Sequence, residues 1–100
     1  MARRYELDGY RVLARNWRCP VGELDLVLAR GAEVVVCEVK TRSSARFGSG
    51  LEAVGPAKQR RLRRLAAIWV ATESPFRPTS VRIDVAAVTG GRVEVVQGAC

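Results

Sequence analysis

One hundred residues make a single small domain, 1–100, with room for one hydrophobic core and not two. Seventeen Lys and Arg against ten Asp and Glu leave a net charge of +7 and a pI near 10.4, which suits a polyanionic partner such as nucleic acid and equally a basic protein without one. At 48% hydrophobic residues the chain should fold, and with no histidine it excludes Ser-His-Asp and Cys-His nucleophiles and imidazole-held metals.

Ala2 to Asp8 reads as the last turns of a helix stopped by Gly9. Tyr10 to Asn16 alternates as a first strand, and Asn16-Trp17-Arg18-Cys19-Pro20 reads as a turn. Trp17 beside it covers a core edge more readily than it stacks on a base. Gly22 to Arg30 and Glu33 to Arg42 are then two apolar runs joined by a short Gly-containing connection, the pattern of a β-hairpin.

Charges interrupt both of these strands. Alternation puts Glu23 and Asp25 on one face of the first and Glu38, Lys40 and Arg42 on one face of the second. With Gly31-Ala32 as the tight turn, Arg30 pairs with Glu33, Asp25 falls opposite Glu38 and Glu23 opposite Lys40. A slip by one residue would set Asp25 against apolar Cys37. Carboxylates placed directly opposite repel unless one is protonated or a cation lies between them. With nearby backbone carbonyls, Asp25 and Glu38 make a hard oxygen site suited to Mg²⁺ or Mn²⁺, with Lys40 aimed at whatever the ion holds.

Ser43 to Gly50, rich in Ser and Gly and anchored only by Phe47, reads as a mobile loop beside that site. Gly55-Pro56 opens one long helix that ends near Glu73, with Leu62, Leu65, Ala66, Trp69 and Val70 as its core stripe. Lys58, four residues before Leu62, extends this stripe, while Arg60, Arg63 and Arg64 fan outward. Cations at a helix N-terminus each oppose the dipole by roughly 0.3–1 kcal/mol at low salt, a cost that a phosphate backbone would offset. Ser80 to Val88 is a further strand, turned by Gly90-Gly91 into Arg92 to Gln97, and Asp84 in it is expected to pair with an arginine.

Three widely spaced cysteines, Cys19, Cys37 and Cys100, offer neither a disulfide framework nor a zinc site. No apolar run approaches the roughly 20 residues of a membrane span, and Arg3-Arg4 leads into no signal-peptide core, so a cytoplasmic protein is expected, with no small-molecule cofactor.

Taken together, Gly9-Tyr10, Arg15-Asn16-Trp17-Arg18, Gly22-Glu23-Leu24-Asp25-Leu26, Glu38-Val39-Lys40-Thr41-Arg42, Phe47-Gly48, Glu52-Ala53-Val54, Lys58, Arg61-Leu62 and Arg82-Ile83-Asp84-Val85 resemble the bacterial YraN family. That family is grouped with Holliday-junction-resolvase-like members of the PD-(D/E)XK nuclease superfamily. The resemblance implies an α/β restriction-endonuclease-like domain: a mixed sheet flanked by helices in the order α-β-β-β-α-β-β. It further implies an Mg²⁺- or Mn²⁺-dependent DNA endonuclease, with Asp25, Glu38 and Lys40 as the catalytic set and Asp25 and Glu38 as metal ligands. Where the superfamily has Pro-Asp, this chain has Glu23-Leu24-Asp25, so Glu23 is either a further metal ligand or a salt-bridge partner. Relatives extend the first helix with an acidic residue, so here that helix is expected to be short or truncated. Arg42, Lys58, Arg60, Arg61, Arg63 and Arg64 are the expected contacts to DNA, linear or branched, and a homodimer would suit cutting of two strands. The alternative is a non-catalytic nucleic-acid-binding module of the same fold.

Overall fold

The structure, a computed structural model, describes residues 1–42 and 54–100. Its elements run α1 (Ala2–Leu7), β1 (Arg11–Cys19), β2 (Gly22–Arg30), β3 (Glu33–Arg42), α2 (Pro56–Glu73), β4 (Ser80–Thr89) and β5 (Arg92–Val96). All five strands lie in one sheet in the order β1-β2-β3-β4-β5, so the expected mixed α/β architecture is the one observed. Three neighbouring pairs are antiparallel, and β3 and β4 are parallel. A parallel pair needs a crossover, and the segment containing α2 supplies it. The expected loop at Ser43 to Gly50 lies outside the described residues.

Both faces of the central strands are covered. On one, Leu62, Leu65, Ala66 and Trp69 of α2 pack on Leu24, Val27, Val34, Val36 and Ile83. Against the other, Ala2, Tyr5 and Tyr10 pack on Leu26, Leu28, Val35, Cys37 and Ala86. Burial from both sides is why Leu26 to Ala29 and Val34 to Cys37 are unbroken apolar runs and not alternating ones. Trp69 is core, as its place in the helical stripe requires. Trp17 is half-buried at the edge of the same cluster, its Nε1 donating to Glu73 Oε1 at 3.3 Å.

The helix boundaries follow the local chemistry. Gly9, at φ +88°, takes the left-handed conformation that ends α1, and Pro56 opens α2 where a backbone N–H would lack a partner in any case. Gly90 and Gly91, both at positive φ, form the two-residue turn whose twist matches the β4–β5 strands.

One expected boundary is corrected. The segment from Asn16 to Cys19 is not a turn: β1 runs on through it, pairing Trp17 with Leu24, Arg18 with Glu23 and Cys19 with Gly22. The turn signal came from Asn16, which sits at φ +50° and bends the strand without ending it, and the register shifts by one residue between Val12 and Ala14. Asparagine tolerates the left-handed region better than most residues, so an Asn-containing irregularity can mark a bent strand as well as a turn.

Asp84 is fully buried on the face covered by α1, and its carboxylate has several partners. It accepts hydrogen bonds from Tyr5 Oη at 2.7 Å, Arg82 Nε at 2.8 Å and the Gly98 N–H at 3.0 Å. Arg82 also reaches Glu33 at 3.3 Å and Tyr10 Oη at 3.2 Å. The expected arginine pairing is thus observed within a larger network. Burial first, then hydrogen bonding to Cys37 and Asp84, pushes the Tyr5 hydroxyl far above the usual tyrosine range, so it stays a donor. Cys37 beside it is also buried, and its thiol is pushed up to about 11.

Candidate functional site

The β2–β3 ladder runs in the anticipated register, from Arg30–Glu33 to Leu26–Cys37, and registered pairing stops one step short of Asp25 and Glu38. At that point Asp25 replaces a ladder bond with its own side chain, Oδ2 accepting the Val39 N–H at 2.8 Å. Asn16, one residue beyond the Arg15–Leu26 pair of the neighbouring ladder, carries the strained φ. The β1–β2 pairing continues past Asn16 while the β2–β3 pairing ends at Leu26–Cys37, so Asp25 and Glu38 sit at the end of the β2–β3 ladder.

Glu38 is 7% exposed, and Asp25 is near enough to act on its carboxyl. Burial raises its pKa above the ordinary carboxylate value, the hydrogen bond with Asp25 raises it further, and Lys58 opposes both. Lys58 comes from the first turn of α2, and its Nζ is 3.1 Å from Glu38 Oε2. The spacing that put Lys58 on the inward stripe agrees with this position, whereas its pairing with Glu38 had no signal in the sequence.

On the side of α1, Asp25 borders a cavity of about 400 Å³ whose walls include Arg15, Asn16, Val39 and Thr41. Arg15 and Thr41 were not anticipated as site residues, although both fall in the segments that carry the family resemblance. Lys40 is half-buried and two residues from Glu38 on the same strand, which gives the two side chains the same face. Glu23 turns elsewhere: its carboxylate pairs with Arg18 Nε at 2.7 Å on the exposed β1–β2 edge, the salt-bridge alternative for this residue. The β2–β3 ladder does not extend to the anticipated Glu23–Lys40 opposition. The side chain of Arg42 lies outside the described residues.

The arginines of α2 divide. Arg60, Arg61 and Arg64 line a groove of about 490 Å³ with Pro20 and Val21 of the β1–β2 turn. Arg63 instead borders an apolar hollow of about 440 Å³ formed with Ala66, Val70, Val81, Ile83 and Cys100. The four were not separable by charge alone.

A hard divalent cation fits the carboxyl pair. Two oxygen-donor side chains are brought together, one of them nine-tenths buried and disfavoured as an anion by its neighbour. Among the described residues no third Asp, Glu, Cys or His joins them. Mg²⁺ commonly keeps several waters and takes only one or two carboxylates, so two suffice for it.

The family model described as "Uncharacterised protein family UPF0102" matches residues 1–88. Among similar proteins, a UPF0102 protein of Frankia alni is 53% identical over 103 residues, covering 98% of this chain and 85% of its own. One from Mycolicibacterium vanbaalenii is 56% identical over 87 residues, covering 87% and 71%, and one from Moorella thermoacetica is 50% identical over 91 residues, covering 91% and 75%. With the family model spanning most of the chain and relatives above half identity over most of both lengths, this chain belongs to the UPF0102 family.

Proposed function

We propose that this protein is a metal-dependent endonuclease acting on DNA in the cytoplasm, as its resemblance to the YraN family and the PD-(D/E)XK superfamily implies. The observation that carries the reading is the Asp25–Glu38 carboxyl pair at the end of the β2–β3 ladder. A carboxyl as buried as Glu38, beside a second acid and the Lys58 ammonium and with a cavity bordering Asp25, is costly to a fold and suits phosphodiester hydrolysis.

Asp25 and Glu38 would hold the ion, Mg²⁺ or Mn²⁺, which when bound supplies a polarised phosphoryl oxygen and an acidified water. The Val39 N–H fixes the Asp25 carboxylate through its 2.8 Å hydrogen bond, so this ligand is oriented before anything binds. Lys40, on the Glu38 face of β3, stabilises negative charge developing on the phosphate or positions the attacking water. Arg15, on the cavity wall next to Asp25, is placed to take a phosphate oxygen of the same strand.

Mn²⁺-dependent cleavage of linear and branched DNA, with Glu38→Ala as the control, tests this reading. Cleavage lost in the control supports it; salt-sensitive binding without cleavage by the parent protein makes the chain a binding module instead.

Binding is expected to run through the arginine groove. Each phosphate contact adds roughly 0.9 to the slope of log affinity against log salt. Replacing Arg60, Arg61 and Arg64 together by alanine should flatten that slope by about 2 to 3, and Arg63→Ala should change it little. Fluorescence anisotropy across a salt series measures both, and equal effects from the two variants would remove the groove as the binding path.

A further inference from the structure

We infer that Lys58 is a built-in cation for the carboxyl pair: its ammonium holds Glu38 while no divalent ion is bound, gives way when one binds, and is then released to a phosphate of the nucleic acid. The inference rests on the reading that Asp25 and Glu38 take a divalent ion.

Three observations carry it. The Lys58 ammonium is 3.1 Å from Glu38 Oε2, on the carboxylate of the pair whose side chain is only 8% exposed. Two adjoining carboxyls require a cation or a proton between them, and Lys58 supplies the cation from another element of the fold. Secondly, the Lys58 side chain is 33% exposed, so its end has a path to solvent. Lysine is a compact charge on a flexible four-carbon stem, able to leave one partner for another without moving the backbone.

The third observation is position. The first turn of α2 carries no acidic residue and no side-chain cap, so a lysine there is opposed by the helix dipole and is compensated by the Glu38 carboxylate. A divalent ion between Asp25 and Glu38 removes that compensation by satisfying the carboxylate itself. The ammonium is then left at a helix N-terminus one turn from the arginine groove, where a phosphate is the favoured neighbour. Ion binding and phosphate binding are thereby coupled in the favourable direction, because each is easier once Lys58 has changed partners.

The experiment uses the full chain at pH 7.5 with Mn²⁺ as the probe, free ion being followed by electron paramagnetic resonance. Lys58→Gln is expected to bind Mn²⁺ about ten-fold more tightly than the parent in the absence of DNA, the size of a typical coupling between sites, while Lys58→Arg stays near the parent value. Equal or weaker binding by folded Lys58→Gln overturns the inference and leaves the metal site standing. Absence of Mn²⁺ binding in the parent and both variants overturns the metal reading and this inference with it.

A second measurement needs no variant. Acetylation of Lys58 in the parent protein, read by mass spectrometry, should speed up several-fold when Mn²⁺ saturates the site, because a side chain no longer held against Glu38 is the more accessible to the reagent. Mn²⁺ that binds without changing that rate leaves Lys58 in place and overturns the exchange.

Discussion

Lys40→Ala is expected to keep Mn²⁺ bound and to lose turnover, by roughly 10²–10³, the usual worth of one well-placed electrostatic group. Asp25→Ala and Glu38→Ala should instead lose both the ion and the cleavage. The contrast arises because the carboxyl pair is proposed to hold the metal, whereas the lysine acts on water or phosphate charge. DNA binding without metal should be intact or tighter in the two carboxylate variants, since each removes a negative charge from a surface that approaches phosphates. Parallel cleavage and anisotropy measurements separate the cases. Cleavage that survives all three substitutions would come from another site or from a contaminant.

The largest effect on stability is expected at Asp84. Breaking a buried ion pair by removing one partner typically costs about 3–5 kcal/mol, because the remaining charge is left uncompensated. Here Asp84→Ala would also leave the Tyr5 hydroxyl and the Gly98 N–H without their acceptor. Arg82 is partly exposed and can recruit water and Glu33, which favours the lower end of that range. Against a total of roughly 5–15 kcal/mol for a small domain, such a loss is large. Urea denaturation should show it as a lower midpoint, whereas Arg18→Ala, at an exposed pair, should barely move the midpoint. A loss under about 1 kcal/mol at Asp84 would mean that the network is not holding α1 and the C-terminal segment to the sheet.

Local signals carried much of the architecture. Gly9 and Pro56 punctuate the helices as their backbone chemistry requires, and the spacing of Leu62, Leu65, Ala66 and Trp69 gave the buried face of α2. Turn length gave the β2–β3 register that brings Asp25 and Glu38 to the same level, although Asp25 borders the cavity on the α1 side and Glu38 meets Lys58 of α2. Less legible were features set by partners distant in sequence. Tyr5 and Asp84 are 79 residues apart, and no periodicity in either segment points to the other. Lys58 meets Glu38 across the interface between helix and sheet, so its face could be read and its partner could not. The misread stretch from Asn16 to Cys19 has a different cause. It combines a turn-forming Asn16, and Pro20 just beyond it, with apolar Trp17 and Cys19 at strand spacing, and packing of those two against the α2 core decided in favour of the strand. Arg15 became a site candidate only through the cavity it lines with Asp25.

Divalent-ion binding by the Asp25–Glu38 pair underlies both the proposed cleavage and the Lys58 exchange. Titration of Mn²⁺ into the parent protein, Asp25→Ala and Glu38→Ala, with each confirmed folded by circular dichroism, tests this most directly. One ion per parent chain, lost in both variants, is the expected result; an ion that neither substitution displaces, or a parent chain that takes up none, would contradict the account.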